Sequence, residues 1–131
     1  MTARLIRLKT RGDFLRVAAG RGRAVRPGVV VQAAAQPGEP QPDETALPPR
    51  VGFTASRRVG NAVARNRAKR RLRAAAAAVL TQRGRAGTDY VLIARAGTGT
   101  RPYADLLADL EGALRQLARR GSTKDARGGE G

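Results

Sequence analysis

Residues 51–56 alternate in character: Val51, Phe53 and Ala55 are apolar, and Gly52, Thr54 and Ser56 stand between them. That period of two predicts a half-buried strand. Behind it the period lengthens. Ala64, Ala68, Leu72, Ala75 and Val79 fall on one stripe of a helix that nothing interrupts between Ala62 and Gly84. Asn61 is the predicted N-cap, its side-chain oxygen accepting from an orphan amide of the first turn. Gly84 is the predicted C′ residue, in the left-handed conformation. The alanine run 74–78 has the highest intrinsic helix propensity available.

The same reading extends to the rest of the chain. Thr10 followed by Asp13 is a variant capping box, and Phe14, Val17 and Ala18 give the short helix behind it one apolar face; Gly20 or Gly22 ends it. Arg21, Arg23 and Arg26 lie in a glycine-spaced edge strand, Pro27-Gly28 marks a turn, and Val29, Val30 and Val31 open a strand through QAAA. Residues 36–50 form a proline-rich connection, read as a mobile hairpin loop. The run DYVLIAR at 89–95 is the strongest strand, suited to the middle of a sheet. A glycine-containing loop follows. Then comes a helix over 102–119, with Thr100 as its cap, Pro102 in its first turn, and Leu106, Leu107, Leu110, Leu114 and Leu117 as its apolar stripe. Residues 121–131 read as a disordered tail, leaving one domain over 1–120.

Charge is the strongest sign of a partner. The chain of 131 residues carries a net charge of +16. Such an excess contributes nothing to folding and points to a polyanionic partner, nucleic acid first. An anionic membrane is the second class, but bulky apolar anchors for an interfacial helix are scarce. No apolar run is long enough to span a bilayer. The N-terminus lacks the continuous apolar region of a secretory signal. It is Arg-rich and acid-free as far as Gly12, a composition shared with transit peptides, but it reads directly into the first helix. The chain is therefore read as cytoplasmic.

The absence of Cys and His removes thiolate chemistry, the commonest general base and the commonest metal ligand. Asp105 and Asp109, four apart on the last helix, could share a metal or be solvated acids favoured by the helix dipole; the second reading is preferred, and no metal site and no catalytic residue is assigned. The loop AGTGTRP lacks the Lys-Ser/Thr ending of a phosphate-binding loop, so no nucleotide cofactor is expected.

The central helix concentrates the basic residues. Asn66, Arg70 and Arg73 lie opposite its apolar stripe, Arg67 and Lys69 lie on the shoulders, and Arg65 and Arg71 lie at the borders. No acid occurs between Glu44 and Asp89. Like charges at these spacings repel by a few tenths of a kcal/mol per pair, about 0.2–0.5, so the cluster asks for an external anion. Arginine, which predominates, fits phosphate bidentately and stacks on bases. Phe14 is either a core residue or a base-stacking platform at the edge of a basic groove.

The stretch VGFTASRRVGNAVARNRAKRRLR resembles the signature of the bacterial ribonuclease P protein component, whose core is the Arg-Asn-Arg motif, here Arg65-Asn66-Arg67, followed by Lys69-Arg70. DFLRV near the N-terminus, the DYVLIAR strand and the closing helix extend the resemblance over about residues 7–118. It implies an α/β (α+β) two-layer sandwich, ribosomal-protein-like, in the order α-β-β-β-α-β-α. It also implies a left-handed β-α-β crossover around the basic helix, against the usual preference. The implied function is to bind the catalytic RNA of ribonuclease P and the 5′ leader of precursor tRNA, with the chemistry and its Mg²⁺ carried by the RNA.

On this resemblance the RNA-binding set is Arg57, Arg58, Arg65, Asn66, Arg67, Lys69, Arg70 and Arg73. Phe14 corresponds to the first aromatic of the leader cleft. The positions of a second Phe and of a strand Tyr are filled by Ala18 and Val31, which implies a weaker stacking grip. Tyr103, at the start of the last helix, is read as a packing residue. Two other readings remain. A ribosomal protein or general RNA chaperone would share the charge but needs only diffuse charge. An autonomous nuclease would need converging carboxylates.

Overall fold

The computed structural model describes residues 5–38 and 47–130, with side chains as far as Arg119. Its elements are β1 (Ile6–Arg7), α1 (Arg11–Ala19), β2 (Gly22–Val25), β3 (Val29–Ala35), β4 (Arg50–Thr54), a 3₁₀ turn (Arg57–Val59), α2 (Ala62–Arg83), β5 (Thr88–Ala94) and α3 (Tyr103–Glu130). This is the expected order, with a two-residue edge strand added at the front.

One five-stranded mixed sheet has the order β1-β4-β5-β3-β2. Strand β5 occupies the centre, parallel to β4 and antiparallel to β3. Its continuous apolar sequence suits a strand covered on both faces. Because β5 lies between β3 and β4, the 36–50 connection is not a hairpin: its two flanking strands do not pair. Residues 39–46 of that connection lie outside the described residues. The parallel pair β4 and β5, joined by α2, is the crossover for which the resemblance implies a left hand.

The period of two divides the sheet into faces. Val29, Val31, Val51, Tyr90, Leu92 and Ala94 point to the face covered by α2 and α3, and form the main core with Ala68, Leu72, Ala75, Ala76, Val79, Leu80, Leu106, Leu110, Ala113 and Leu114. Small residues on α2 let it lie close to the strands. On the other face Leu8, Val17 and Val91 form a smaller cluster with Phe14, Ala34 and Ile93. The nine-residue α1 covers only part of that face.

Two of the three predicted N-caps form. Thr10 accepts from the Asp13 amide at 3.1 Å, and Asn61 accepts from the Ala64 amide at 2.9 Å. Four local expectations are corrected. Gly84 is extended, with φ −68° and ψ 138°. Glycine is needed there for space, since a Cβ would lie 2.5 Å from the Leu80 carbonyl oxygen; the left-handed glycine of this turn is Gly87, with φ 74°. Thr100 does not cap α3, because the helix starts at Tyr103 and its first ladder bond runs from Leu106 to the Pro102 carbonyl. Tyr103 does not pack, being 43% exposed. Asp109 is not solvated: it is 8% exposed and accepts from the Gly28 amide and the Arg101 guanidinium, pinning the β2–β3 turn to α3. The backbone of α3 runs to Glu130; the side chains of residues 120–131, which include the tail that the sequence predicts to be disordered, lie outside the described residues.

Candidate nucleic-acid interface

Helix α2 carries seven basic residues and no acid. Its buried stripe fixes its roll: with Ala68, Leu72, Ala75 and Val79 against the sheet, Asn66, Arg67, Arg70 and Arg73 are exposed, while Arg65 and Lys69 are half-buried along their stems. Arg57 and Arg58 stand exposed on the 3₁₀ turn at the entry to this helix. Ser56 caps that turn by accepting from the Arg58 amide at 3.3 Å, and Gly60, with φ 142°, makes the bend into Asn61. The fold thus brings all eight predicted RNA-binding residues onto one element and the turn leading into it.

Most of the described acids pair with arginines elsewhere in the fold. Asp13 and Asp89 engage Arg16 and Arg50, Asp109 engages Arg101, and Glu111 engages Arg83. Among the described residues, no ion pair reaches Arg57, Arg58, Arg65, Arg67, Lys69, Arg70 or Arg73. A helix that holds these charges together without an acid leaves a concentrated positive field for a polyanion.

Arg71 is different in kind. Its Nη1 donates to the Thr98 carbonyl at 2.6 Å, tying α2 to the loop between β5 and α3. Thr98 is fully buried; its hydroxyl donates to the Gly28 carbonyl at 2.7 Å and accepts from the Arg95 amide at 2.7 Å.

The second candidate surface is the face crossed by α1. Phe14 is half-buried there, its ring lying over Gly52, where any Cβ would collide with it. Ala18 is exposed one turn further along α1. Val31 does not join them. It is 0% exposed and belongs to the core under α2 and α3, on the opposite side of the sheet. The expectation fails by one residue of register, which in a strand reverses the face: the β3 residues on the α1 side are Val30, Gln32 and Ala34. Thr54 and Ile93 are partly exposed on that side.

The sequence reading missed the group that holds α1 in place. Asp89 is completely buried. It accepts from Arg50 Nε at 2.8 Å and Arg50 Nη2 at 2.6 Å, and from Arg16 Nη2. Arg16 also donates to the Ala35 carbonyl at 2.7 Å, so one side chain joins α1 to β3 and β5. The Asp89 carboxylate, by hydrogen bonding, holds the Arg50 guanidinium still more firmly protonated than usual. Asp13 is held below the usual carboxylate range, first by the Thr10 hydroxyl and then by Arg50 and Arg16. The signal was present: an acid heading the most apolar strand must be paired if buried.

Among the described residues no three acids, histidines or cysteines come together as a metal-binding group, and no helix is long and apolar enough to cross a membrane.

Known proteins are similar to this chain in sequence and in architecture. The family model for ribonuclease P matches residues 2–118. The ribonuclease P protein component of Paramagnetospirillum magneticum is 53% identical over 117 residues, covering 89% of this chain and 86% of the relative. That of Caulobacter vibrioides is 46% identical over 133 residues, covering 99% and 85%. Among solved structures, the Staphylococcus aureus RNase P protein superposes with a TM-score of 0.64 at 26% identity, covering 83% of this chain and 92% of that one. The Thermotoga maritima RNase P protein gives 0.64 at 22%, covering 84% and 96%. With an Arg-Asn-Arg motif on its exposed basic helix and relatives matching over nearly the whole length, the chain belongs to the bacterial ribonuclease P protein component family.

Proposed function

We propose that this protein binds the catalytic RNA of ribonuclease P through Arg57, Arg58, Arg65, Asn66, Arg67, Lys69, Arg70 and Arg73, and that it receives the 5′ leader of precursor tRNA on the α1 face of the sheet. The observation that carries this reading is the unneutralised cationic face of α2, set on a helix whose opposite stripe is core. Phosphates would supply the missing charge, and Arg forks would orient them. On the α1 face, Phe14 offers a partly open ring over Gly52, with Ala18 one turn along α1 and Ile93 in the same apolar cluster.

The protein acts as a noncatalytic subunit in this proposal. It has no His or Cys, and its described acids are mostly paired with arginines. Mg²⁺ would be held by the RNA, which does the cutting. The protein would contribute by neutralising phosphates where RNA and substrate meet, so that less free Mg²⁺ is needed. The setting would be the cytoplasm.

The test is cleavage of precursor tRNA by the cognate catalytic RNA at low Mg²⁺, with and without the protein. The reading expects strong stimulation, none from protein alone, and little from an unrelated polycation of equal charge. Equal stimulation by the polycation would favour a general RNA chaperone. Cleavage by protein alone would overturn the assignment of the chemistry to RNA.

A further inference from the structure

A groove opens between the first two turns of α2 and the loop that follows β5. It is lined by Val59, Val63, Ala64 and Ala96, with Asn61, Arg67, Gly99 and Thr100 at its edges, and measures about 440 Å³. That is within the range of small-molecule sites, roughly 300–1,000 Å³. Its lining is mainly aliphatic, yet it sits in the most cationic part of the molecule. Arg67 borders it, Arg57 and Arg58 directly precede Val59, and no acid lines it among the described residues. Val63 is 75% exposed, the most exposed large apolar side chain among those described.

The groove is held open by the fold. Its loop wall is fastened to α2 by Arg71 through the Thr98 carbonyl and to the β2–β3 turn by the Thr98 hydroxyl. The Thr100 and Arg101 amides both donate to the Gly97 carbonyl, at 3.2 and 2.9 Å. A wall tied at this many points is formed before any ligand arrives, which lowers the cost of binding.

We propose that this groove takes one unpaired nucleobase of the catalytic RNA. The base would lie against Val59 and Val63 with the Arg67 guanidinium stacked or paired beside it, while the flanking phosphates meet Arg57 and Arg58. Unpaired bases in RNA are commonly splayed out onto apolar or guanidinium surfaces, and an aliphatic groove bordered by Arg67, with Arg57 and Arg58 next in the chain to Val59, fits that chemistry. Arg71 is then a positioning residue that holds the wall. This inference rests on the RNA-subunit reading above and specifies how part of that interface recognises its partner.

Two glycines make a clean test. A Cβ at Gly97 or at Gly99 meets no atom within 4 Å, and neither has a positive φ, so both accept larger side chains; only Gly99 lines the groove. Gly99→Leu, Gly97→Leu and Val63→Gln all leave the net charge unchanged. Their folding is checked by urea denaturation. Equilibrium binding of the cognate catalytic RNA is then measured for each, with dimethyl sulfate probing of its bases in the complexes.

Gly99→Leu and Val63→Gln are expected to weaken binding on the order of tenfold, as for loss of a stacked base. They should also expose a base that the wild-type protein protects. Gly97→Leu should bind within about twofold of wild type, the usual effect of a neutral surface change. Tight wild-type binding that Gly99→Leu and Val63→Gln leave unchanged overturns the groove assignment alone. Equal losses for Gly97→Leu and Gly99→Leu, or the absence of any protected base, overturn it as well. Failure of the wild-type protein to bind the RNA overturns the RNA-subunit reading, and this inference with it.

Discussion

Replacing Asp89 by Ala should destabilise the protein more than any single change on the RNA-binding face. The carboxylate is fully buried and accepts from two arginines, through Arg50 Nε, Arg50 Nη2 and Arg16 Nη2. Removing one member of a buried ion pair costs roughly 3–5 kcal/mol, because the partner's charge is stranded. Here the stranded side chains keep 30% and 24% of their exposure. Water can therefore recover part of the loss, and the expected cost is about 2–3 kcal/mol.

Urea denaturation would read this as a lowered midpoint with an unchanged slope. Thermal melting should fall by on the order of 10 °C. The network joins α1 to β3, β4 and β5, so amide exchange should quicken first in α1. Affinity for the catalytic RNA should stay within about twofold at a temperature where the variant is folded, because α2 packs on the other face of the sheet. A loss below about 0.5 kcal/mol, the level of an ordinary surface change, would refute the reading of Asp89 as a buried hub. So would an Asp89→Asn variant as stable as wild type.

Other expectations follow from the same geometry. Seven unneutralised cations meeting phosphates at about 0.7–0.9 each predict a slope of log K against log salt of roughly −5 to −6; a flat response in a filter-binding titration would sink the electrostatic account. Gly52→Ala should push the Phe14 ring off the sheet and cost about 1–3 kcal/mol, as overpacking does, with a denaturation midpoint equal to wild type as the contrary result. Burial raises the Tyr90 phenol above its ordinary value of 10.0, only partly offset by the Arg85 amide that donates to its oxygen at 3.0 Å. The ionised form is the one burial disfavours, so this contribution is intact below pH 10 and is lost as pH rises toward the raised value. Tyr90→Phe should abolish that alkaline loss and cost about 1 kcal/mol at neutral pH, for the amide left unpaired; an unaltered alkaline profile would show that another group is responsible.

The elements were legible where local chemistry settles them. Thr10 and Asn61 cap because their side chains reach an amide three residues on, and the stripe of α2 follows from its own spacing. Legibility ended where contacts cross the chain. Nothing near Asp89 in sequence announces Arg16 and Arg50, which lie 73 and 39 residues away. Asp109 reads as a surface acid on the helix wheel until the Gly28 turn is folded against it. Val31 shows how narrow the margin is in a strand, since a shift of one residue separates the cleft from the core. Arg67, Arg70 and Arg73 were legible for the opposite reason: no acid stands near them in sequence, and none of the described acids pairs with them.

The most direct test compares two single substitutions that remove the same charge from different surfaces. Arg67 is exposed on the cationic face of α2, and Arg115 is exposed on α3. Dissociation constants for the cognate catalytic RNA, measured at one fixed salt concentration, should rise about fivefold or more for Arg67→Ala, as for a lost phosphate contact of roughly 1 kcal/mol. Arg115→Ala should stay within about twofold. Equal effects would mean that net charge alone attracts the RNA and that the arrangement of cations on α2 has no special part in binding it.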